Sequence, residues 1–208
     1  MGITLKNRAR EPYDQERPVF VDAKGRLMVN TGLDGDAYVL FLPPIAAGTN
    51  KVHMDFFNAA TTARDVEILS VQPIMSGAAA VTGVLGVDIY LTRTTAVGTG
   101  GTAATLEGTA FNAPTISKMD PASQALPATI TARSAPGGGA TAGAILAFES
   151  IFPEETNTAT YFRNDLIKDN HQGSRIIVPP GTGIRVVQGA VASVGNLGFT
   201  VLFSVLRR

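Results

Sequence analysis

Cysteine and tryptophan are both absent from the 208-residue chain. The lack of cysteine excludes disulfides, thiolate zinc sites and cysteine nucleophiles together. The lack of tryptophan weakens, without excluding, a sugar-stacking site. A domain of this length buries roughly 70% of the surface that its unfolded chain exposes, so neither a metal nor a disulfide is needed to hold its core. We expect no cofactor.

A net charge and long apolar runs are lacking as well. The chain has 17 basic and 17 acidic residues, and its formal net charge is zero. Duplex nucleic acid normally requires a basic patch, because phosphate neutralisation supplies most of the binding energy, so we expect no nucleic-acid partner. No stretch approaches the roughly 18 apolar residues of a membrane helix, and no signal peptide is recognisable. We expect a soluble, unprocessed chain without a membrane partner.

What the chain does contain is typical of β-structure. It has 22 glycines and 12 prolines, and much of its 45% apolar content is alanine. Small residues, threonine and proline fit long helices poorly and suit short strands joined by turns. This composition predicts an all-β protein.

The N-terminal region is polar and without periodicity over residues 1–17. We interpret it as an extended arm, with a disordered terminus as an equal alternative. Residues 18–208 are then predicted to form a single domain. A turn signal within 18–29 predicts a hairpin, and the strand that follows is expected to stop at Pro43–Pro44, since proline cannot donate to a ladder.

Three strands are predicted in the next part of the chain. The segments 51–58 and 64–76 alternate in polarity or are apolar on both sides, and the short turn between them indicates an antiparallel hairpin. In the segment 84–95, alternate residues are apolar, so their side chains would share one face of a strand. These residues are Val87, Ile89 and Leu91.

The middle of the chain is rich in small residues and proline. Long loops are expected near 96–107 and 134–143, and weak edge strands near 108–112 and 128–133. The strand order within 106–160 stays open at this point, because the prolines leave the pairing ambiguous.

The late strands carry the clearest patterns. Strands are predicted at 144–152 and on both sides of a tight turn within 175–191. The last strand has an apolar face made of Phe199, Val201, Phe203 and Val205. Roughly eight to ten strands with turns throughout, and no βαβ alternation, predict an antiparallel two-sheet sandwich that is jelly-roll-like.

The candidate catalytic and metal-binding residues are sparse. His53 and His171 are the only histidines, and no third ligand at metal-site spacing accompanies them. The acidic Asp34-Gly35-Asp36 suggests a loose calcium loop, but turn chemistry explains it more simply. Glu154-Glu155 fits a solvated charge pair in a polar loop.

Two further motifs of catalytic chemistry are missing. The run Gly98-Thr99-Gly100-Gly101 lacks the lysine and the following helix of a phosphate-binding loop. No G-x-S-x-G pattern marks a nucleophile. We therefore expect no enzymatic activity and no metal site.

The large apolar residues are assigned to two roles. Core packing is the interpretation of one set: Phe56, Phe57, Val66, Ile68, Phe148, Phe199 and Phe203. Some strands are apolar on both faces, although a sandwich leaves one face of each strand in water. These extra residues predict a subunit interface. Its candidates are Leu69, Val71, Leu202 and Leu206.

Two segments resemble a known group of proteins. RIIVPPGTGIRVVQ, followed about ten residues later by GFTVLFSVLRR, resembles the end of small jelly-roll virion proteins of tailed bacteriophages, where a PPG-x-G turn joins two late strands. DFFNAATTARDVEILSVQPIMS is similar to an earlier pair of strands in those proteins. The resemblance covers about a third of the chain, with turn motifs and no active-site chemistry.

The resemblance implies a capsid decoration (cement) protein, or a related head or tail component. It also implies a homotrimer whose partners are its own copies and the major capsid protein or another virion protein. The location would be the virion, and the absence of cysteine fits assembly in a reducing host cytoplasm. The candidate capsid-contact residues of the N-terminal arm are Lys6, Arg8, Arg10 and Tyr13.

A carbohydrate- or receptor-binding module of a phage fibre or tail is the alternative function. Such a module needs aromatic and amide side chains on its loop tips. Its candidates in the polar stretch after residue 153 are Tyr161, Phe162, Asn164 and Asp165.

Overall fold

The structure is a computed structural model, and it describes residues 20–21, 27–28, 35–76, 87–138, 143–151, 166–167, 176–190 and 195–206. Every regular element in these ranges is a β-strand. No helix of the described residues is long and apolar enough to cross a membrane. The chain divides into two compact units, Met1–Leu33 and Asp34–Arg208.

The first unit contains two short strands, β1 (Phe20–Val21) and β2 (Leu27–Met28). They pair antiparallel, with Phe20 opposite Met28. This confirms the hairpin predicted within 18–29. The hairpin belongs to the N-terminal unit, whereas the sequence placed the boundary after residue 17.

The second unit contains the remaining strands, in two six-stranded sheets. We call them sheet 1, in the order β12-β5-β14-β3-β9-β8, and sheet 2, in the order β11-β6-β13-β4-β10-β7. Their strands are β3 (Gly35–Ala46), β4 (Val52–Asn58), β5 (Val66–Ser76), β6 (Val87–Thr94), β7 (Thr102–Ala103), β8 (Thr105–Leu106), β9 (Thr115–Lys118), β10 (Ile130–Ser134), β11 (Ile145–Ile151), β12 (Ile176–Val178), β13 (Thr182–Gln188) and β14 (Asn196–Leu206).

The pairing of these strands is that of a jelly roll. Strand β3 pairs with β14, β4 with β13, β5 with β12 and β6 with β11, all antiparallel. The chain thus forms one long antiparallel ribbon, and successive pairs of the ribbon alternate between the two sheets. This arrangement confirms the predicted all-β, jelly-roll-like sandwich.

The four additional strands lie between β6 and β11 in the sequence and widen both sheets. Strand β9 pairs with β3, and β10 pairs with β4. The two-residue strands β7 and β8 occupy the outermost positions beside them. The weak strand predicted near 128–133 is confirmed at Ile130–Ser134, whereas the one predicted near 108–112 is wrong, because the strand lies at Thr115–Lys118.

The core lies between the two sheets and has aromatic rings at its centre. Phe203 of β14 stacks on Tyr38 at 5.4 Å between ring centroids, within sheet 1. It also meets Phe56 of sheet 2 edge-on at 4.9 Å. All four apolar residues predicted on the face of the last strand are fully buried. The alternation read from the sequence therefore sets the inner face of this strand.

The expected hairpin of 51–58 and 64–76 is wrong, because β4 lies in sheet 2 and β5 in sheet 1. Asn58 holds the corner between them. Its side-chain amide donates to the carbonyl of Arg64 at 3.0 Å and to that of Val178 at 2.9 Å. Its own carbonyl accepts from the amide of Gly181 at 2.8 Å. The corner depends on these distant partners, which a local turn signal does not reveal.

The prolines at 43 and 44 do not end their strand, which runs on to Ala46. Strand β9 pairs with β3 only as far as Phe41. Beyond Phe41, no described strand on that edge requires a backbone N–H group from β3, so proline is tolerated there. On the other edge the ladder shifts register at Gly198. An added Cβ there would lie 2.6 Å from the carbonyl oxygen of Leu42, so only glycine permits this close approach.

A β-bulge changes the faces predicted for β5. Leu202 lies opposite Ser70, while the next residue, Phe203, lies opposite Ile68, so Leu69 is the extra residue. Val71 consequently faces the core and is fully buried. The prediction of Val71 as an interface residue is wrong for this reason.

Candidate functional site

Residues 98–101 and 134–138, which belong to the two loops predicted near 96–107 and 134–143, meet on the outer face of sheet 2. The amide of Thr99 donates to the carbonyl of Gly138 at 3.0 Å, and the amide of Gly137 donates to that of Thr99 at 2.9 Å. Arg133 of β10 donates to the carbonyl of Gly100 at 2.9 Å. The loops therefore form a fixed cover over the sheet, and the first of them also contains β7 and β8.

A buried ion pair lies beneath this cover. Asp55 of β4 and Arg185 of β13 occupy directly opposed positions. The Arg185 Nε donates to Asp55 Oδ1 at 2.7 Å, and both side chains are almost inaccessible to solvent. The other carboxylate oxygen accepts from the amide of Gly98 at 2.9 Å. Both carboxylate oxygens of Asp55 therefore accept a hydrogen bond, and this pairing offsets part of the cost of burying the two charges.

Glycine at position 98 permits the close contact between cover and ion pair. A Cβ there would lie 2.6 Å from an Arg185 nitrogen and 3.1 Å from the Asp55 carboxyl carbon. Gly101 is similarly constrained, with a φ of 66° and the carbonyl oxygen of Ser134 only 2.1 Å from the position of a Cβ. The Gly98–Gly101 run therefore has a structural role in the loop.

A shallow cleft of about 440 Å³ opens beside the cover. Arg185 and Lys51 supply its charged groups. The other lining residues are Asn50, Val52, Ala135, Pro136, Gly137 and Gly138. A second, smaller cleft of about 270 Å³ lies where residues 61–64 face residues 124–129. Neither cleft contains a histidine, a carboxylate or a cysteine among its lining residues. The two clefts can hold a small polar group but offer no general base.

His53 is buried at a bulge in β4, where Val186 lies opposite Met54 and Val187 lies opposite Val52. Its Nε2 lies 3.1 Å from Gln188 Oε1, which also accepts from the amide of Gly48 at 2.8 Å. Since that oxygen is the acceptor in both contacts, Nε2 carries the imidazole proton.

The environment of His53 favours its neutral form. Burial lowers the pKa of His53 below the usual 6.5; the Gln188 hydrogen bond opposes this effect and the nearby Lys51 charge adds to it. Nδ1 has no hydrogen-bond partner among the described residues. The imidazole ring lies 5.9 Å from the ring of Phe199 in the core. These contacts make His53 a structural residue of the interior.

The other predicted ionic motifs also serve the fold where they are described. Asp36 lies within β3, and its Oδ1 accepts from the amide of Gln124 at 3.2 Å. The described residues contain no group of three or more histidine, cysteine or acidic side chains able to hold a metal ion. Four of the motif residues lie outside the described part of the chain: Asp34, Glu154, Glu155 and His171.

No protein family, curated protein or solved structure matches the chain.

The outer face of sheet 1 carries an apolar stripe. Tyr38, Leu40 and Leu42 of β3 face the core, so Val39 and Phe41 between them face outward. Leu202 of β14 lies directly opposite Val39. We define the outer stripe as Val39, Phe41, Leu69, Leu202 and Leu206, all of which are half-buried. Three of the four predicted interface residues belong to it.

The outer face of sheet 2 carries apolar residues that the sequence analysis assigned otherwise. Phe148 of β11 was placed in the core, but it is 52% exposed. It packs against Tyr90 of β6 with 5.0 Å between the ring centroids. Phe57 is half-buried on the same outer face. No local sequence signal marks this position, because the pairing of Phe148 with Tyr90 joins two strands far apart in the chain.

The predicted capsid-contact and carbohydrate-binding residues lie outside the described residues. The first set is Lys6, Arg8, Arg10 and Tyr13. The second set is Tyr161, Phe162, Asn164 and Asp165. Both sets stay predictions from the sequence.

Proposed function

We propose that this protein is a non-catalytic structural component of a tailed-phage particle, a decoration protein that stabilises the shell through contacts between copies and with the capsid. The observation that carries the proposal is the outer stripe on sheet 1. A two-sheet sandwich needs only the inner face of each strand to be apolar, so the fold itself does not account for an apolar stripe on the outer face.

The outer stripe supports a protein contact in particular. Val39 and Leu202 are cross-strand neighbours, and Phe41 lies opposite Thr200, so the apolar side chains adjoin one another along β3 and β14. Contiguous apolar surface on a folded domain is typical of protein–protein contact sites. None of the stripe residues is charged, which fits the depletion of charge at the centre of interfaces.

The fold and the turn motif add support. A jelly roll is an architecture that viral capsid domains use. The PPG-x-G segment joins β12 of sheet 1 to β13 of sheet 2, and Gly181 adopts a φ of 81°. Thr182 closes this turn by donating its amide to the carbonyl of Pro179 at 3.2 Å. This geometry is the strand–turn–strand unit on which the resemblance to small phage virion proteins rests.

The mechanism is multivalent binding. In a trimer each copy presents the same surface to its neighbours, and several weak capsid contacts then act together because they are linked. Detachment of one contact leaves the others in place, so the bound protein resists expansion and loss of the shell.

The test is cosedimentation of the purified protein with source-phage heads prepared without it. We expect saturable binding and a higher temperature of head disruption. Leu202→Glu places a charge in the outer stripe, so it should weaken binding at least tenfold, the equivalent of about 1.4 kcal/mol. Phe111→Glu is the control, because Phe111 is 94% exposed in a turn and does not belong to the stripe.

Two results would contradict the proposal. One is the absence of the protein from purified particles by mass spectrometry. The other is equal binding by the Leu202→Glu variant and the Phe111→Glu control, which would remove the outer stripe from the contact.

A further inference from the structure

We propose that the cleft beside the loop cover of sheet 2 is a binding site for a carboxylate group, carried by a small organic acid or by an acidic side chain of a partner protein. The cleft is lined by residues 50–52, residues 135–138 and Arg185 of β13. This site is separate from the outer stripe, which lies on sheet 1, and it does not depend on the virion proposal.

The charged side chains that line the cleft are both cationic. Lys51 immediately precedes β4, and Arg185 lies within β13. No lining residue is acidic. A concave surface lined by charge of one sign attracts ligands of the opposite sign, because its low-dielectric walls focus the electric field. The cleft therefore favours an anionic ligand.

The buried carboxylate beneath the cover does not balance this positive charge. Asp55 lies directly opposite Arg185 on one neighbouring strand and directly opposite Arg133 on the other. Together with Lys51, these side chains carry three positive charges and one negative charge. Both oxygens of Asp55 are already bonded, one to Arg185 and one to the amide of Gly98. A bound carboxylate would bring this group of side chains closer to neutrality.

Lys51 supplies the donor that a carboxylate in the cleft can reach. It is half-buried, and its ammonium donates to the carbonyl of Ala46. An ammonium has three N–H groups, so this bond leaves donors for a ligand. The exposed Asn50 adds a side-chain amide beside it. Arg185 is almost inaccessible and holds Asp55, so it contributes mainly its charge.

The remaining lining selects an organic carboxylate rather than an inorganic anion. Val52, Ala135 and Pro136 supply apolar surface. Gly137 and Gly138 have no atom within 4 Å of the position of a Cβ, so the space beside them is open. The volume of about 440 Å³ is in the range of small-molecule sites. A carboxylate on a short apolar chain contacts both the cations and the apolar surface, whereas inorganic phosphate contacts only the cations.

The first test compares propionate with propionamide, which has nearly the same shape and no charge. Proton–nitrogen NMR spectra of the full chain, at an ionic strength held constant with sodium chloride, follow the backbone amides of Lys51, Gly137 and Gly138. We expect saturable shifts of these amides with propionate and none with propionamide. The amides of Thr61 and Ala63 line the second cleft and serve as the internal control, which should not shift.

The second test changes the charge of the cleft. Lys51→Gln removes the ammonium and keeps a polar side chain, so it should weaken propionate binding about tenfold or more, as expected for the loss of one hydrogen bond to a charged group. Lys51→Arg keeps the charge and should retain binding. Lys118→Gln is the matched control, because Lys118 lies in β9 of sheet 1 and does not line the cleft.

A thermal melt verifies that each variant is folded, and the propionate–propionamide comparison supplies the answer if Lys51→Gln is not. Glutamate blocked at both ends, as its N-acetyl amide, distinguishes the two sources of the carboxylate. Tighter binding of this compound than of propionate identifies an acidic side chain of a partner protein. Weaker binding identifies a free organic acid.

Three results would overturn the inference. The first is an absence of saturable shifts with propionate, or equal shifts with propionamide. The second is equal propionate binding by Lys51→Gln and Lys118→Gln. The third is tighter binding of inorganic phosphate than of propionate, which would mean that the cleft recognises charge alone. None of these results involves the outer stripe, so the capsid-binding test decides the proposed function separately.

Discussion

Asn58 joins three parts of the fold through one side chain and one carbonyl. Its amide nitrogen donates to two carbonyls, in the β4–β5 connection and at the end of β12. The residue is completely buried. Its removal would leave the buried carbonyl of Val178 and the partly buried carbonyl of Arg64 without this donor, and an unsatisfied buried acceptor is costly.

We expect Asn58→Ala to lower the free energy of unfolding by about 2–4 kcal/mol, because one buried and one partly buried acceptor lose their donor. Chemical denaturation followed by circular dichroism measures this value. Asn112→Ala is the control, since Asn112 is exposed in a turn. A loss below about 0.5 kcal/mol, as at ordinary surface positions, would mean that water or a shifted backbone replaces these bonds.

His53 gives the stability a pH dependence of defined sign. Because its folded-state pKa lies below 6.5, the unfolded chain takes up the proton first as the pH falls. The contribution of His53 is therefore complete above pH 6.5 and decreases below it, by at most about 1.4 kcal/mol per pH unit.

The measurement compares the wild type with His53→Gln, which does not titrate. Unfolding free energies between pH 7.5 and 5.5 should fall more steeply for the wild type, and the difference isolates His53 from His171 and the carboxylates. Equal slopes would show that His53 titrates alike in the folded and unfolded chains.

The roles of these two residues were not predictable from the sequence. Asn58 is preceded by an alternating strand and followed by a small-residue turn, as in many hairpins. His53 alternates with apolar neighbours, as a surface histidine would. In both cases the decisive partner is more than a hundred positions away, Val178 for Asn58 and Gln188 for His53. Local patterns hold no information on such pairs.

The loops over sheet 2 behave as one element. The cover depends on the approach of Gly98 to the ion pair, whereas Gly137 has no atom within 4 Å of the position of a Cβ. We expect Gly98→Ala to destabilise the protein by about 1–3 kcal/mol through overpacking. Gly137→Ala should be neutral or slightly stabilising, because it reduces the freedom of the unfolded chain.

Thermal denaturation of both glycine variants provides the comparison. Similar melting temperatures for the two would show that the ion pair moves aside at little cost. We expect Gly98→Ala to cost more than Gly137→Ala because the neighbours of Gly98 are the Asp55 carboxylate and the Arg185 guanidinium, which hold each other in place.

Most strands were predictable from the sequence, and their partners were not. The patterns identified β4, β6, β11, β13 and β14 with nearly correct limits, because period-two alternation depends only on adjacent residues. The predicted inner and outer faces of β5 were wrong because of the bulge at Leu69, since one extra residue moves every following side chain to the other face. The prolines of β3 were misjudged because the lack of a partner at that edge is a long-range property.

The Asp34–Arg208 unit holds the complete jelly roll. We expect a chain that begins at residue 34 to fold alone, with a melting temperature within about 4 °C of that of the full chain, the shift that about 1 kcal/mol causes at this size. A chain that ends at residue 190 should not fold, because it lacks β14.

The physical reason is the position of the last strand. β14 lies between β3 and β5 and pairs with both. It also contributes Phe199, Val201 and Phe203 to the core. Circular dichroism and thermal melting distinguish the two truncations. A cooperative transition in the chain without β14 would mean that another segment can take its place.

The ribbon brings the two ends of the sandwich together. Gly35, at the start of β3, pairs with Leu206, at the end of β14. A short peptide linker can therefore join the ends, and new termini can be opened in the exposed turn that contains Phe111. The sandwich is in this sense suited to circular permutation. It also follows that peptides fused at Gly35 and at Leu206 would leave the sandwich side by side, so a two-part tag or a split reporter would assemble on one end of the molecule.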